Sequence, residues 1–439
     1  MNEVANPHLP KMIETEGGTA PEAPLSAKAT DLDRSILLDL ALKTAYVLPQ
    51  FTTESAAKRM HLSLAVAGDL LEQLRTDMLL ETLGHDGPLG YRYTITQRGR
   101  ERAERLMEIS GYTGPAPVSL ESYRAMLEWQ AERSMSITPA QVKSALAELV
   151  LPEEAVEIAG LAISSGRSLF LSGPPGNGKT SLGRQLHTAM SGDIWIPHAI
   201  AVDSNVVRLF DPHCHQVAPH AAGKNQPIDQ RWIKIKRPFI VAGGEMTLES
   251  LDMAYLPAQK YYEAPLHMKA NGGTFLIDDF GRQHVAPAEL LNRWIIPLEH
   301  RIDFLTLHGG QKIQVPFLLM LIIATNLKPQ DVTDPAFLRR IGYRLQINAP
   351  TPEFYARVFE QYAARCGITA DKKLIAWLLE RYRTTNRELR CCEPRDLIER
   401  ARDICNHRGQ PFALSDDVLD LAWKGYFGAE INGESAARR

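Results

Sequence analysis

Residues 173–180 carry the stretch that decides the fold, GPPGNGKT. It lies between an apolar strand predicted at Ser168–Ser172 and a helix, which is the order of elements that a phosphate-binding loop requires. Its glycines let backbone N–H groups turn toward one point, at a helix N-terminus whose dipole favours anions. Lys179 is expected to reach the β- and γ-phosphates, and the Thr180 hydroxyl to ligate Mg²⁺. The expected ATP contacts are Gly173, Pro174, Pro175, Gly176, Asn177, Gly178, Lys179, Thr180 and Ser181.

A second motif, TFLIDDFGRQ at residues 274–283, ends an apolar strand predicted at Gly273–Asp278 with two carboxylates. The carboxyl ends of parallel strands meet at one edge of a sheet, so Asp278 and Asp279 should lie beside the phosphate loop. Asp278 is then the carboxylate on the Mg²⁺ side, and Asp279 is the residue that polarises the attacking water. The alternative, two capping aspartates before a turn, is disfavoured by the phosphate loop upstream.

A third buried strand, predicted at Phe317–Thr325, ends next to Asn326, whose side chain could hold the lytic water or sense the γ-phosphate. Arginines follow at intervals. An arginine beside the γ-phosphate stabilises charge that develops during transfer, and a second subunit can supply it. One such residue alone is more often a solvated surface residue, but their order after the two aspartates favours a functional role. The candidates are Arg339, Arg340 and Arg344 in DPAFLRRIGYRL, and Arg395 in CEPRDLIERA.

Together these motifs resemble those of the AAA+ ATPase superfamily. GPPGNGKT looks like its Walker A motif, LIDD its Walker B, ATN its sensor 1, FLRR its arginine-finger region and EPRDL its sensor 2. The resemblance covers about Ile137–Phe427. It implies an α/β fold of the P-loop NTPase type, with a parallel sheet and a C-terminal helical lid. It also implies ATP hydrolysis with Mg²⁺ and head-to-tail assembly into a ring, six-fold by resemblance.

Two details refine this resemblance. The stretch IDFLTLHGGQKIQVPF at residues 302–317 looks like the pre-sensor-1 hairpin of MoxR-like ATPases. The superfamily usually has glutamate where this chain has Asp279, whose carboxylate lies about one methylene further from the water. We therefore expect ATP binding with slow hydrolysis. The sequence leaves open whether Arg339, Arg340 or Arg344 is the arginine finger.

The rest of the chain divides by composition and periodicity. We expect a disordered tail at 1–30, a small winged-helix domain at 31–110, a linker and connecting helix at 111–136, the α/β nucleotide-binding domain at 137–350, and the lid at 351–439. The winged helix-turn-helix resemblance rests on three helices, two short strands and a closing helix. These are predicted at Ser35–Val47, Thr53–Met60, Ser63–Thr76, Met78–Leu83, Gly90–Thr96 and Thr96–Met107.

A winged helix normally suggests DNA, which needs a basic face and a helix whose side chains reach base edges. The candidate recognition helix, Ser63–Thr76, instead carries Asp69 and Glu72 against the single Arg75. Only RGRERAER at residues 98–105 is rich in arginine, and glutamates interrupt it. The sequence therefore favours docking of a protein client, with DNA binding as the alternative.

The stretch between the two phosphate motifs is longer than a minimal nucleotide-binding unit needs, with a surplus at about Ala201–Tyr262. Tyr261 and Tyr262 either line a central pore that grips a polypeptide, or they pack in the core or at a subunit contact. His213, Cys214 and His215 look like metal ligands, but adjacent loop residues seldom converge on one ion, so metal binding is disfavoured.

Composition limits the remaining classes. The net charge of −3, with 44% hydrophobic and 23% charged residues, gives no support to nucleic-acid wrapping or a polybasic membrane anchor. The longest apolar run, Val315–Ile323, is far too short to span a bilayer. The five cysteines fit no zinc spacing and indicate reduced thiols in the cytoplasm.

We expect an oligomeric ATP-driven remodeller of a protein client. The alternatives are an ATP-controlled DNA-binding regulator and a nucleic-acid translocase, for which no base-stacking platform is apparent.

Overall fold

The structure is a computed structural model that describes residues 6–85, 91–133, 137–219, 227–327 and 339–428. Its N-terminal arm corrects one expectation, because residues 6–30 are ordered rather than a disordered tail. The arm forms an antiparallel hairpin of β1 (Met12–Thr15) and β2 (Gly18–Pro21), followed by a 3-10 turn at Lys28–Thr30. Its main chain accepts hydrogen bonds from the Trp195 indole and the Lys234 ammonium. Contacts made by backbone carbonyls do not require a periodic pattern of apolar side chains, so the sequence of the arm did not indicate that it is ordered.

The next unit contains the predicted three helices, two strands and closing helix. Its helices are α1 (Arg34–Val47), α2 (Thr53–Met60), α3 (Leu64–Thr76) and α4 (Gln97–Ile109). A three-stranded antiparallel sheet accompanies them, in the order β3 (Phe51–Thr52), β5 (Tyr91–Ile95), β4 (Leu80–His85). Asp33, Thr52, Ser63 and Thr96 each cap one helix with a side-chain oxygen. These caps explain why the element starts could be predicted from sequence.

The segment expected to be a linker is packed into the structure instead. Tyr112, Ala116 and Val118 are each at most 5% exposed. Val118–Ser119 forms β6, which pairs with a strand of the long surplus segment, and α5 (Leu120–Arg133) follows. Glycine and proline here shape a fixed turn, so composition alone was misleading about flexibility.

A five-stranded parallel sheet lies in the part of the chain that is predicted to bind nucleotide, and it confirms the predicted α/β class. Its order is β12 (Phe239–Ala242), β15 (Thr274–Ile277), β18 (Met320–Thr325), β7 (Leu169–Ser172), β19 (Tyr343–Gln346). Helices cover both faces: α6 (Pro139–Leu146), α7 (Glu153–Ser164) and α8 (Lys179–Thr188) on one, α10 (Pro287–His300) on the other. Phe275 packs with α10, whereas its neighbour Leu276 packs with α6–α8. Burial on both faces explains why these strands are continuously apolar.

The surplus segment and the residues on either side of it build a second β layer, so the predicted domain 137–350 contains more than the parallel sheet. Its strands are β8 (Asp193–Pro197), β9 (Ala199–Val202), β10 (Asn205–Arg208), β11 (Trp232–Lys236), β13 (Ala254–Leu256) and β14 (Tyr261–Glu263), with the short α9 (Leu266–Lys269). One sheet has the order β13-β14-β10-β9-β6, and β11 pairs with β8. Ala20, Val118 and Tyr123 share the core of this layer. Residues of the N-terminal arm and of β6 and α5 therefore complete a core that the surplus segment begins.

The predicted hairpin is present as β16 (Ile302–Thr306) and β17 (Lys312–Pro316), but it packs on this second layer. Leu305 and Val315 are fully buried there, and the Tyr262 hydroxyl accepts a hydrogen bond from the His308 N–H at 3.0 Å. Tyr262 is 4% exposed, and Tyr261 packs edge-on against Tyr112. Of the two interpretations of these tyrosines, the structure agrees with packing in the core.

The C-terminal region is helical, as its periodicity predicted. Its helices are α11 (Pro352–Arg365), α12 (Lys372–Thr384), α13 (Glu393–His407) and α14 (Asp416–Phe427). Tyr355, Phe359, Leu378 and Trp423 are among the residues of its own core. We call residues 351–428 the lid. None of the helices in the described ranges is long and apolar enough to cross a membrane.

Candidate functional site

The phosphate loop joins the end of β7 to the start of α8. Gly173 has φ of +139°, and a Cβ atom there would lie 1.9 Å from the Ile347 carbonyl oxygen. Gly178, which precedes the first residue of α8, has the left-handed φ of +86°. Both positions therefore require glycine, one for the close approach of a neighbouring chain and one for its backbone conformation. The loop therefore has the tight backbone turn that the sequence predicted for a phosphate-binding loop.

Lys179 is only 7% exposed and lies under this loop. Its ammonium donates to the carbonyls of Gly173 and Pro174, at 2.8 and 2.9 Å, and to Asn326 Oδ1 at 2.7 Å. Burial lowers the pKa of Lys179, while Asp279 and Asp278 act in the opposite direction. A lysine with all three donors engaged is held in one position facing the loop.

Thr180 and Asp278 meet across the edge of the sheet. The Thr180 hydroxyl donates to Asp278 Oδ2 at 2.8 Å, while Asp278 Oδ1 accepts the N–H of Asp279 at 2.9 Å. A hydroxyl and a carboxylate are hard oxygen donors of the kind that Mg²⁺ prefers when phosphates and waters complete its shell. The donor set therefore fits the predicted Mg²⁺ position.

Asn326 connects the lysine to the second aspartate. Its Nδ2 donates to Asp279 Oδ1 at 2.8 Å, and its Oδ1 accepts from Lys179. Asp279 has φ of +48°, a left-handed conformation in which aspartate is much more common than most other residues. Aspartate is therefore well suited to the sharp turn that the chain makes here.

The lid forms the other wall of the cleft. The cleft has a volume of about 520 Å³, and Arg395 lies on its lid side in the first turn of α13, hydrogen-bonded to Asp396 at 3.0 Å. The residues that line it include the phosphate loop, Asp278, Asp279, Asn326, Leu149, Tyr362, Arg365, Cys391, Cys392 and Arg395. The structure therefore brings six predicted site residues to one cleft: Lys179, Thr180, Asp278, Asp279, Asn326 and Arg395.

The structure places the other three candidate arginines elsewhere. Arg339, Arg340 and Arg344 line a separate cavity of about 560 Å³ together with Arg167 and Arg301. Arg340 Nε is 3.1 Å from Glu299 Oε2. This cavity lies toward the amino ends of β7 and β19, whereas the phosphate loop follows the carboxyl end of β7. Residues 334–338 of the arginine motif lie outside the described residues.

Sequence reasoning missed the contacts that the lid makes with the loop. The N–H of Cys392 donates to the Gly176 carbonyl at 2.8 Å, and the N–H of Cys391 donates to Asn177 Oδ1 at 3.1 Å. Their position just before EPRDL was the available signal.

The His213–His215 loop has a structural explanation instead of a metal-binding one. His215 is 4% exposed, its Nδ1 accepts the Asp211 N–H at 3.0 Å, and its Nε2 is 2.8 Å from the Lys269 carbonyl oxygen. Both ring nitrogens are thus engaged. Within the described part of the chain, no group of three or more His, Cys, Asp or Glu side chains is arranged to hold a metal ion.

Comparisons with known proteins give partial likenesses. The family described as Domain of unknown function (DUF8689) matches residues 351–425, which lie in the lid. No curated protein matches the chain. Among solved structures, RuvB of Thermotoga maritima, a Holliday junction branch migration motor, is 15% identical over 63% of this chain and 69% of that chain, with a TM-score of 0.37. NtrX of Brucella abortus in complex with ADP is 16% identical over 64% of this chain and 55% of that chain, with a TM-score of 0.32. At these values neither structure assigns the chain to a family.

Proposed function

We propose that this chain is an ATP-binding and ATP-hydrolysing protein of the AAA+ type that works as an oligomeric remodeller of a protein client. One observation carries the ATPase proposal. Lys179, Thr180, Asp278, Asp279 and Asn326 form one hydrogen-bonded chain at the carboxyl edge of the parallel sheet. They come from three separate stretches of sequence, and this edge is where such sheets bind nucleotides.

Each residue then has a distinct task. The loop N–H groups and Lys179 bind the phosphates, and Thr180 and Asp278 hold Mg²⁺, which neutralises charge on the phosphate oxygens when bound. Asp279 orients the attacking water and accepts its proton. Asn326 keeps the Asp279 carboxylate turned toward the cleft. Arg395 contacts the nucleotide from the lid. Asp279 is half-exposed and one methylene shorter than glutamate, which supports slow turnover.

The position of Arg339 and Arg340 in the fold supports a nucleotide site that two subunits share. Arg339 and Arg340 lie toward the amino edge of the sheet, far from the cleft of their own chain. A head-to-tail contact would bring this edge of one subunit to the cleft of the next, and such contacts can close into rings. We propose a ring, with six subunits by resemblance to AAA+ proteins, in which Arg340 or Arg339 acts in trans.

Mixing two inactive variants tests the shared site. Asp279→Asn and Arg340→Ala are each expected to lower ATP turnover by about 100-fold, since each removes a group that acts on the reacting phosphate. Their equimolar mixture should recover a measurable fraction of wild-type phosphate release, because some sites combine an intact Asp279 with an intact Arg340. Arg357→Ala, a surface change on α11, is the matched control and should retain full turnover.

Two results would contradict the shared site. One is an Arg340→Ala variant with normal turnover in the assembled protein. The other is a chain that stays monomeric with and without ATP in size measurements. In either case, a site complete within one chain would replace the proposal.

The surface of α3 supports a protein client over DNA. Asp69 pairs with Arg34 at 2.7 Å, and Glu72 bonds to Arg75 at 2.9 Å. The charges on this helix are therefore neutralised within the unit itself. Leu64 is 58% exposed at the start of α3, and an exposed apolar side chain suits a protein surface better than a phosphate backbone. We propose that the winged-helix unit recruits the client, and that the protein works in the cytoplasm with its five cysteines reduced.

The alternative is an ATP-controlled DNA-binding regulator, for which Arg98, Arg100 and Arg102 on α4 are the available cations. We expect no salt-dependent binding to duplex DNA, by fluorescence anisotropy at low salt with and without ATP. The triple change to glutamate should therefore leave the signal unchanged. Micromolar binding that weakens with salt and disappears in the triple variant would favour the regulator instead.

A further inference from the structure

The lid touches the phosphate loop through its main chain, in the segment between α12 and α13. The hydrogen bonds from Cys392 to Gly176 and from Cys391 to Asn177 join the two parts directly. The contact is also tight, because a Cβ atom at Gly176 would lie 2.8 Å from Cys392 Sγ. The Asn177 side chain is 4% exposed and also donates to the Pro174 carbonyl at 3.4 Å. The lid segment therefore holds the middle of the loop that is proposed to bind the phosphates.

A series of buried, hydrogen-bonded side chains in the lid holds this segment in place. Glu393 is 3% exposed, and its Oε2 accepts the Arg390 N–H at 3.1 Å and the Tyr382 hydroxyl at 2.8 Å. The Tyr355 hydroxyl donates in turn to the Tyr382 hydroxyl at 3.1 Å. Burial raises the pKa of Glu393, opposed by the bond from Tyr382. The series thus runs from the core of the lid to the turn that carries the two cysteines.

Lid stability alone does not explain a buried carboxyl group at this position. In the described chain Glu393 makes no salt bridge, and burying a carboxyl group costs free energy that an apolar residue would avoid. What the carboxyl supplies is a bond to the Arg390 N–H, which closes the turn together with the Glu393 N–H donating to the Arg390 carbonyl at 3.2 Å. That turn sets the direction of the N–H groups that reach Gly176 and Asn177.

We propose that Glu393 is a positioning residue for the nucleotide site, which acts through residues 390–392 on the phosphate loop. The inference rests on the proposed ATP binding. Glu393 touches neither Lys179 nor the acidic pair, so its loss loosens the loop without removing a group that acts on the reacting phosphate. The expected signature is weaker nucleotide binding with little change in turnover at saturation.

Four variants test this role by calorimetric titration with ADP and by steady-state phosphate release. Glu393→Ala should weaken ADP binding and raise KM about tenfold, as expected for losing a buried hydrogen-bonding group, with kcat within about twofold. Tyr382→Phe should weaken binding about threefold, because one of the two bonds to Glu393 remains. Glu393→Gln keeps an acceptor oxygen and should bind within about twofold of wild type. Tyr355→Phe, the matched control, removes a hydroxyl from the same series but leaves both bonds to Glu393, and should also bind normally.

Alkylation of the two cysteines gives a second readout that a purely structural role would not move. Burial raises the pKa of Cys391 to about 11, so loosening of this turn increases both the exposure of the thiol and its thiolate fraction, and both changes speed its reaction with iodoacetamide. Both thiols line the cleft. We expect mass spectrometry to show several-fold faster modification at Cys391 and Cys392 in Glu393→Ala, and protection by ADP in wild type.

The outcomes separate the inference from the proposed function. If Glu393→Ala melts at lower temperature but keeps wild-type ADP affinity and thiol reactivity, the positioning role is wrong. If Glu393→Ala does not fold, wild-type affinity in Tyr382→Phe overturns the role in the same way. If wild type and Lys179→Ala both fail to bind ADP, or bind it equally, the proposed ATP site fails and the inference falls with it.

Discussion

Replacement of Lys179 by alanine is expected to lower ATP turnover by at least about 100-fold, the loss typical when a positioned electrostatic group is removed. ATP affinity should fall by about 10- to 100-fold, since a hydrogen bond to a charged group contributes about 1.5–3 kcal/mol. The physical reason is the position of the ammonium, which Gly173, Pro174 and Asn326 hold with three hydrogen bonds.

The measurement is phosphate release under saturating ATP together with a binding isotherm. Lys143→Ala is the matched control, because Lys143 is an exposed lysine on α6 whose nearest carboxylate is 3.9 Å away. The control should behave as wild type. Both variants should melt within a few degrees of wild type, since burial already disfavours the charged form of Lys179. Wild-type turnover in Lys179→Ala would mean that any ATPase activity arises at another site.

Replacement of Gly173 by alanine should disrupt the loop and the sheet edge together. The added Cβ would lie 1.9 Å from the Ile347 carbonyl oxygen and 2.9 Å from its carbon, while φ of +139° disfavours any side chain. The Ile347 N–H donates to the Ser172 carbonyl at 2.8 Å, so the clash falls where β19 joins β7. We expect a cost on the order of 4 kcal/mol from steric overlap and backbone strain combined. Nucleotide binding should be lost.

Thermal unfolding and ADP titration measure these two effects. The cost corresponds to a fall of about 10 °C in the melting temperature of a unit of this size. Gly192→Ala is the matched control, because Gly192 has φ of +84° with no atom within 4 Å of the added Cβ. It should cost only about 1 kcal/mol. Equal melting temperatures for the two variants would show that the approach of Ile347 to Gly173 does not constrain the sheet.

The parts of this site that depend on local order were predictable. The strand, turn and helix around Lys179 are consecutive in sequence, and Asp278 and Asn326 each follow an apolar strand of a kind that only a doubly covered sheet accommodates. Because the carboxyl ends of parallel strands meet at one edge of a sheet, no further information is needed to predict that these residues lie close together. The sequence therefore predicted that Lys179, Asp278, Asp279 and Asn326 would meet.

The parts that depend on distant backbone contacts were not predictable. The arm at residues 12–21 is held by main-chain carbonyls that accept bonds from Trp195 and Lys234, and no side-chain pattern records such bonds. The same holds for Cys391 and Cys392, whose N–H groups donate hydrogen bonds to the loop. The left-handed turn at Asp279 was also not predictable, because the type of a residue does not determine its backbone angle φ.

The attachment of the N-terminal arm sets an order of events during synthesis. Thr19 contacts Trp195 across 176 residues of chain, and Gly17 contacts Lys234 across 217. At about 5–20 residues per second, the ribosome makes the arm roughly 10 to 40 seconds before its partners exist. Contacts this distant in sequence form slowly, because loop closure must precede them. The two strands of the arm are thus made early relative to their partners and are among the last to reach their final packing, and their edges stay exposed in the meantime.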